Sequence, residues 1–153
     1  MKTLANPSEK NELLARLQLI QPSTARNWGK MSAHQMICHL SDGFRLYMGL
    51  KQAESVNVPL PRWLLKWTAL WVPRQWPQGY QSAPELDQLT NGTPPSVFKN
   101  DVQELQELLD RFTRQPRDFS WPAGHPHFGA MSERDWMRLA YLHMDHHLRQ
   151  FGA

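Results

Sequence analysis

Residues 141–151 read YLHMDHHLRQF, and this stretch decides the fold class. Because a helix advances by about 100° per residue, His143 and His147 lie about 40° apart on one helical face. Apolar residues share that side of the helix: Trp136, Leu139, Ala140, Met144, Leu148 and Phe151. Charged residues project to the other side: Arg134, Arg138, Asp145 and Arg149. The pattern predicts an amphipathic helix that directs two histidines into a helical core.

Capping residues mark the starts of the second and fourth of four predicted long helices. Ser132 is followed three residues later by Asp135, so the helix quoted above is predicted to begin there and to continue to residue 152. Ser32 and Gln35 stand in the same relation, and a helix is predicted to run from them toward residue 50. Both helices carry histidines, which makes them the candidate walls of a site.

Prolines and apolar stripes define the first and third long helices. Asn6 and Pro7 open the first, Glu9 is the expected reciprocal capping partner, and Pro22 ends it. The third is predicted to end before Pro116. Its apolar stripe consists of Phe98, Val102, Leu105, Leu109 and Phe112. The chain therefore reads as an all-α, four-helix bundle.

The connection between the second and third helices is about 40 residues long, which is too long for a bare loop. A short accessory helix is predicted at residues 62–72, where Trp63, Trp67 and Trp71 recur at intervals of four and share one face. Packing of these rings against the bundle is the favoured interpretation, because aromatic stripes usually belong to a core. The face could also cap a site, form a dimer interface or touch a membrane surface.

Size and composition favour one globular domain over residues 1–153, in which 41% of the residues are apolar. Neither a signal peptide nor a membrane-spanning run is recognisable, so a cytoplasmic location is expected. The net charge of +3 is scattered along the chain, which argues against a nucleic-acid partner. Because Cys38 is the single cysteine, an internal disulfide and a zinc site built from several cysteines are both excluded, and a metal is expected on nitrogen or oxygen ligands.

A third histidine, His39, projects inward from the second helix. Gly43, one turn later, leaves room beside its ring for a metal ion or a substrate, or else allows close helix packing. The polar sector of this helix holds His34, Cys38, Ser41, Asp42 and Arg45, so Cys38 is discounted as a ligand or nucleophile. One divalent cation would satisfy the three inward imidazoles His39, His143 and His147 together. These three are the predicted metal ligands, and no catalytic residue is assigned.

The other histidines receive lesser roles. His146 lies at the boundary of the inward face and is a candidate supporting residue, whereas His125 and His127 could approach the site from their loop but are favoured as ordinary loop residues. Asp42 and Asp145 are considered as groups that orient the ligand histidines. The pair on the fourth helix lacks the glutamate of the zinc-protease motif, and inward carboxylates at di-iron spacing are absent from the sequence.

Three motifs resemble those of the DinB-like superfamily, and most closely its branch catalogued as a domain of unknown function. They are HQMICHL at residues 34–40, HPHFG at residues 125–129 and YLHMDHHLRQF at residues 141–151. The resemblance implies a four-helix bundle, often dimeric, with a long connection between the second and third helices. It also implies a divalent metal, commonly zinc or nickel, on His39, His143 and His147.

Two classes of function follow from this combination. The first is a metal-dependent enzyme, either a thiol S-transferase or a hydrolase, whose substrate is a small molecule such as a low-molecular-weight thiol; the resemblance implies thiol transfer for some superfamily members and hydrolysis or isomerisation for others. The second is a non-catalytic bundle that binds a metal or a small ligand. An interaction module that acts through the tryptophan helix is a further hypothesis.

Overall fold

The computed structural model describes residues 1–54, 60–79 and 82–153. This part of the chain forms five α-helices and one 3-10 turn, and it contains no β-strand beyond an isolated bridge. The elements are α1 (Pro7–Leu17), α2 (Ala33–Tyr47), α3 (Arg62–Trp71), the 3-10 turn (Pro84–Leu86), α4 (Phe98–Thr113) and α5 (Glu133–Gln150). The all-helical prediction is thus confirmed, including the accessory helix in the long connection. None of the described helices combines the length and hydropathy needed to cross a bilayer.

Capping boxes begin the two helices that carry the histidine cluster. The Ser32 side chain accepts a hydrogen bond from the Gln35 backbone, and the Gln35 side chain accepts one from Ser32 N at 2.8 Å. Ser132 and Asp135 make the same reciprocal pair at the start of α5. Both predicted helix starts are therefore correct, because a capping box is a local interaction that does not depend on the rest of the fold.

Other helix ends differ from the predictions. Asn6 caps α1, but the Glu9 carboxylate accepts from Thr3 N instead of forming the reciprocal bond. Helix α2 ends at Tyr47, before the expected residue 50, and Gly49 follows with a φ of +74°. Glycine readily adopts a positive φ, and a residue in that conformation cannot continue a right-handed helix, so helix α2 ends before Gly49.

Helix α2 lies at the centre of the packing, with α4 and α5 against it and the 3-10 turn beside it. Helix α5 also packs against α1 and α3, and Lys10 of α1 pairs with Asp110 of α4 at 2.6 Å. The largest fully buried side chains include Trp136, Phe44, Phe112, Leu105, Leu109 and Met144. This arrangement makes α2 and α5 the two walls of the histidine cluster.

The polar sectors inferred from helical projection are wrong at several positions. Cys38, Ser41 and Asp42 are at most 4% exposed, because α4 and the connection cover that side of α2. Arg138 of α5 is also buried, and its Nε donates to the Leu70 carbonyl of α3 at 2.9 Å. A helix with neighbours on several sides has no solvated face, so projection alone misassigns these residues.

The accessory helix α3 packs against α5 through only part of its surface. Leu70 is fully buried, and Trp71 Nε1 donates to Asp135 Oδ1 at 3.0 Å. Trp63 and Trp67 remain 68% and 54% exposed. The interpretation that the whole tryptophan stripe packs against the bundle is therefore wrong for these two residues.

Candidate metal centre

His39 of α2 and two histidines of α5, His143 and His147, meet between their helices. The three ring centroids are separated by 4.7 to 4.9 Å, and His39 Nε2 lies 2.9 Å from His143 Nε2. One ring nitrogen from each residue falls within 4.8 Å of the other two. This buried cluster could hold a metal ion.

The orientation of His39 is fixed by the connection between α2 and α4. Its Nδ1 lies 2.6 Å from the carbonyl oxygen of Leu86, at the end of the 3-10 turn. Because a carbonyl oxygen only accepts, Nδ1 carries the hydrogen and Nε2 presents a lone pair to the cluster.

His147 is oriented by a side-chain amide from its own helix. Its Nδ1 lies 2.8 Å from Gln150 Oε1, and Gln150 Nε2 donates to the Trp28 carbonyl at 2.8 Å. The second bond fixes which end of the amide faces the imidazole. His147 therefore also donates from Nδ1 and presents the lone pair of Nε2 to the cluster.

His143 has a phenol partner on α2. Its Nδ1 lies 2.9 Å from the hydroxyl oxygen of Tyr47, which is able to accept or donate. Gly43 lies against the same ring, and a Cβ there would stand 3.1 Å from His143 Nδ1 and Cε1. Gly43 thus provides room for the His143 ring of α5, which favours the alternative of close helix packing over empty room for a metal ion or a substrate.

Burial keeps all three imidazoles in the neutral form. It lowers the pKa of His39, although the bond to the Leu86 carbonyl opposes this effect. Burial and the neighbouring rings lower the pKa values of His143 and His147 well below the ordinary value. The neutral imidazole is the form that ligates a metal, so a cation would not have to displace a proton from a charged imidazolium.

A cavity of about 110 Å³ opens onto His39 and His143. Its lining includes Tyr47, Trp76, Leu139, His125, His127 and Phe128. Burial and His127 lower the pKa of His125 to about 3. His125 and His127 thus line the cavity that opens onto the cluster, so the alternative that this loop approaches the site describes them better than ordinary loop residues.

A wider groove of about 450 Å³ adjoins this cavity and shares Leu46, His125 and Pro126 with it. Lys51 and Arg62 line the groove, and its described lining contains no carboxylate. The groove and the cavity are thus neighbours, and Arg62 gives the groove a positive charge, whereas Lys51 is paired with Asp42 at 2.7 Å.

The remaining candidates lie elsewhere. The carboxylate of Asp42 binds Arg45, Lys51, Gln88 and Thr93, so it orients no histidine. Asp145 pairs with Arg16 and Arg149, and it is likewise wrong as an orienting group.

Two residues near the cluster occupy positions outside it. Cys38 is buried on another side of α2, where burial and the Asp101 carboxylate raise the pKa of its thiol to about 12. His146 is buried beside His147, and its Nδ1 has no hydrogen-bond partner in the described part of the chain. Cys38 is thus excluded from the cluster, as expected, although it is not solvated.

A family model described as "Protein of unknown function (DUF1569)" matches residues 6–153. The chain belongs to this family. The match covers every helix and all three clustered histidines. Searches of curated proteins and of solved structures gave no significant match. The family membership therefore adds no assigned reaction, and the function has to be argued from the site.

The residues that orient the histidines were not singled out from the sequence. Tyr47 stands one turn after Gly43 and two turns after His39, a spacing that puts it on the same face of α2. Gln150 follows His147 by three residues, a spacing that brings two side chains together on a helix. The Leu86 carbonyl left no signal in the sequence, because its position depends on the path of the connection.

Proposed function

We propose that the protein is a metal-dependent enzyme in which His39, His143 and His147 hold one divalent ion through Nε2. The observation that carries this proposal is the direction of the hydrogen bonds. In each histidine Nδ1 is engaged by a protein group, and Nε2 is left toward the other two. Metal-binding histidines characteristically have their second nitrogen fixed in this way.

The donor set fits a cation better than it fits a bundle without one. His39 and His147 both present unprotonated Nε2 atoms, and burial disfavours protonation of the cluster. At most one Nε2 hydrogen, on His143, is then available among three converging nitrogens. Buried acceptors without donors are costly, and a single cation satisfies all three.

The arrangement of helices supports membership in the DinB-like superfamily. Helix α1 packs against α5, α5 against α2, and α2 against α4. The ion pair between Lys10 and Asp110 links α1 to α4. The long connection with its accessory helix lies between α2 and α4. These features agree with the bundle that the sequence motifs suggest.

Because the three imidazoles are neutral, a divalent ion such as zinc or nickel would keep its full charge and at least one open coordination position. Such an ion would make bound water or a bound thiol nucleophilic at neutral pH. The 110 Å³ cavity meets the cluster at His39 and His143, so this is the side from which substrate would approach. Its described lining includes no carboxylate that could act as a general base. This composition favours thiol S-transfer or hydrolysis with a metal-activated nucleophile.

Trp76, Phe128 and Leu139 surround the cavity and would exclude water from the reacting groups. The cavity itself has room for only a few water-sized groups, so most of a substrate must lie in the adjoining 450 Å³ groove. Arg62 lines that groove and favours a substrate with an anionic group, whereas the neighbouring Lys51 is already paired with Asp42 at 2.7 Å. A low-molecular-weight thiol such as glutathione, with its carboxylates, has this character.

Metal content tests the ligand assignment. Elemental analysis should find one divalent ion fewer per chain in the double variant His143→Ala/His147→Ala than in the purified wild-type protein. His146→Ala is the matched control, because it removes a neighbouring buried histidine outside the cluster. Retention of the full metal content by the double variant would overturn the proposal.

Activity tests the enzymatic part. Low-molecular-weight thiols should be screened with electrophilic substrates, and ester and amide substrates should be screened without thiols, each with and without chelator. Turnover should vanish on chelation and in His39→Ala. In an active assay Arg62→Gln should raise KM by about tenfold with a smaller change in kcat, because the guanidinium binds a part of the substrate remote from the reaction. Arg74→Gln is the control on the same connection.

The alternative is a bundle that binds a metal or a small ligand without catalysis. It shares the histidine site and differs in outcome: chelation would lower stability, and the same screen would give no chelator-sensitive turnover. The enzymatic proposal rests on the opening of the cavity onto the cluster, since a purely structural metal site is normally closed by four protein ligands.

A further inference from the structure

A second group of metal-ligating side chains lies on the side of α2 that faces α4. His34 and Cys38 are one helical turn apart on α2, and Asp101 reaches them from α4. His34 Nε2 lies 2.6 Å from Asp101 Oδ2, and Cys38 Sγ lies 3.7 Å from the same oxygen. One nitrogen, one sulfur and one oxygen therefore converge within 4.8 Å of one another.

This group is separate from the three-histidine cluster. Its ligands come from α2 and α4, whereas the cluster uses α2 and α5. Cys38 and His39 are adjacent in sequence but project about 100° apart around α2, toward different neighbouring helices. The two groups share a helix and no residue.

We propose that His34 Nε2, Cys38 Sγ and Asp101 Oδ2 form a second divalent metal site. The mixed donor set suits a borderline-soft ion such as zinc, cobalt or cadmium, with solvent in the remaining position. The proposal is independent of the enzymatic function proposed above, because it involves none of the residues of that site.

Charge balance supports the assignment. A thiolate and a carboxylate together neutralise a divalent ion, and His34 adds a neutral nitrogen, so the filled site has no net charge. A site without net charge can be buried around Cys38, which is 4% exposed, whereas burial of an unbalanced charge there would cost much desolvation free energy.

The site is also held in place and reachable. Ser96 fixes the Asp101 carboxylate through its N–H and its hydroxyl, each at 2.8 Å. The side chains of His34 and Asp101 are 21% and 13% exposed, which gives an ion access from solvent. On binding, the ion takes the place of the hydrogens that His34 Nε2 and Cys38 Sγ direct at Asp101 Oδ2, while Ser96 N–H keeps its bond. The His34 hydrogen moves to Nδ1 by exchange with solvent, and the thiol proton passes to solvent.

Cobalt titration distinguishes the two sites, because only this one contains sulfur. Metal-free full-length protein is titrated with Co²⁺ and followed by absorption. A near-ultraviolet thiolate-to-cobalt charge-transfer band is expected, and it should persist in His143→Ala/His147→Ala. Cys38→Ser should abolish the band while leaving the cobalt bound by the three histidines.

A second variant, at the more exposed residue His34, tests the site even if Cys38→Ser does not fold. His34→Ala should weaken the affinity of the sulfur-containing site by about tenfold or more, measured from the same band. Lys99→Ala, a neighbouring surface change, is the control and should leave the band unchanged. Absence of a charge-transfer band in the folded wild-type protein, or its survival in folded Cys38→Ser, would overturn the proposal.

Discussion

At the scale of single residues, three histidines are oriented by three different kinds of partner. Nδ1 of His39 meets a backbone carbonyl, Nδ1 of His143 a phenol hydroxyl, and Nδ1 of His147 a side-chain amide. These partners come from the connection, from α2 and from α5, so the geometry of the cluster depends on all three regions at once. Small changes beside any ring should therefore affect metal affinity before they affect the fold.

Gly43→Ala tests this expectation. The new Cβ would stand 3.1 Å from His143 Nδ1 and Cε1, close enough to displace the ring. Metal affinity should fall by about tenfold or more, because the ligand loses its orientation. Stability without metal should hold or rise by up to about 1 kcal/mol, because alanine favours the helix over glycine.

Competition with a chromophoric chelator measures the affinity of Gly43→Ala, and urea unfolding in the presence of excess chelator measures its stability. Ser41→Ala is the matched control, since it alters a buried position of the same helix whose hydroxyl donates to the Ile37 carbonyl at 3.1 Å. Unchanged affinity in Gly43→Ala would show that His143 is not a ligand or that its ring has room to shift.

At the scale of elements, α3 is attached to the molecule by one side. Leu70 is buried, Trp71 bonds to Asp135, and the Leu70 carbonyl accepts from Arg138. Trp63 and Trp67 extend from the other side. The exposed tryptophans agree with the hypothesis that a second copy of the chain or another partner binds this face, since large exposed aromatic groups often mark interaction surfaces.

The asymmetry of α3 predicts different costs for two substitutions. Leu70→Ala should lower the free energy of unfolding by about 2–5 kcal/mol, because it leaves a cavity between α3 and α5. Trp63→Ala should change it by no more than about 0.5 kcal/mol, because the side chain is mostly solvated in the monomer. Urea denaturation of both variants at low protein concentration gives the comparison.

A large destabilisation by Trp63→Ala would contradict the exposure of that ring in the monomer. Sedimentation velocity then addresses association directly. If the exposed face pairs two copies of the chain, a Trp63→Ala/Trp67→Ala variant should become monomeric while His39→Ala keeps the wild-type association state.

At the scale of the whole molecule, Asp42 ties the connection to the central helix. It is completely buried, and its carboxylate accepts from Lys51 at 2.7 Å, Gln88 at 2.9 Å and the Thr93 backbone at 2.8 Å. Residues on both sides of the accessory helix are thereby anchored to one side chain of α2. The same connection carries the Leu86 carbonyl that orients His39.

Asp42→Asn should lower the free energy of unfolding at neutral pH by about 3–5 kcal/mol, because it leaves the partly buried cations Arg45 and Lys51 without their buried anion. Burial alone would raise the pKa of Asp42, but the bonds from Lys51 and Thr93 outweigh it and lower the pKa. A lowered folded-state pKa means that the stabilisation is fully present above the unfolded value of about 3.9 and is lost as the pH falls through the folded value.

Urea unfolding of wild-type protein and Asp42→Asn between neutral and acidic pH checks the sign. The difference between the two should be largest near neutrality and should shrink in the acid range. Asp118→Asn is the control, because its carboxylate is paired on the surface with Arg111 and Arg114. A difference that is independent of pH would show that the charge of Asp42 contributes nothing.

The sequence by itself determined the helices and the three clustered histidines. Capping boxes at Ser32 and Ser132 act over three residues, and helical periodicity requires only that one face be buried. The spacing of His143 and His147 is likewise a local property. These features could therefore be predicted without knowing how the helices pack.

The tertiary structure alone decided which side chains support the cluster and which surfaces are solvated. The Leu86 carbonyl reaches His39 across 47 residues of sequence separation, and Arg138 is buried because α3 covers it. Cys38 is buried beside Asp101 because α4 packs there, although projection placed it in a polar sector. Contacts between distant segments have no local signal, since the whole path of the chain determines them.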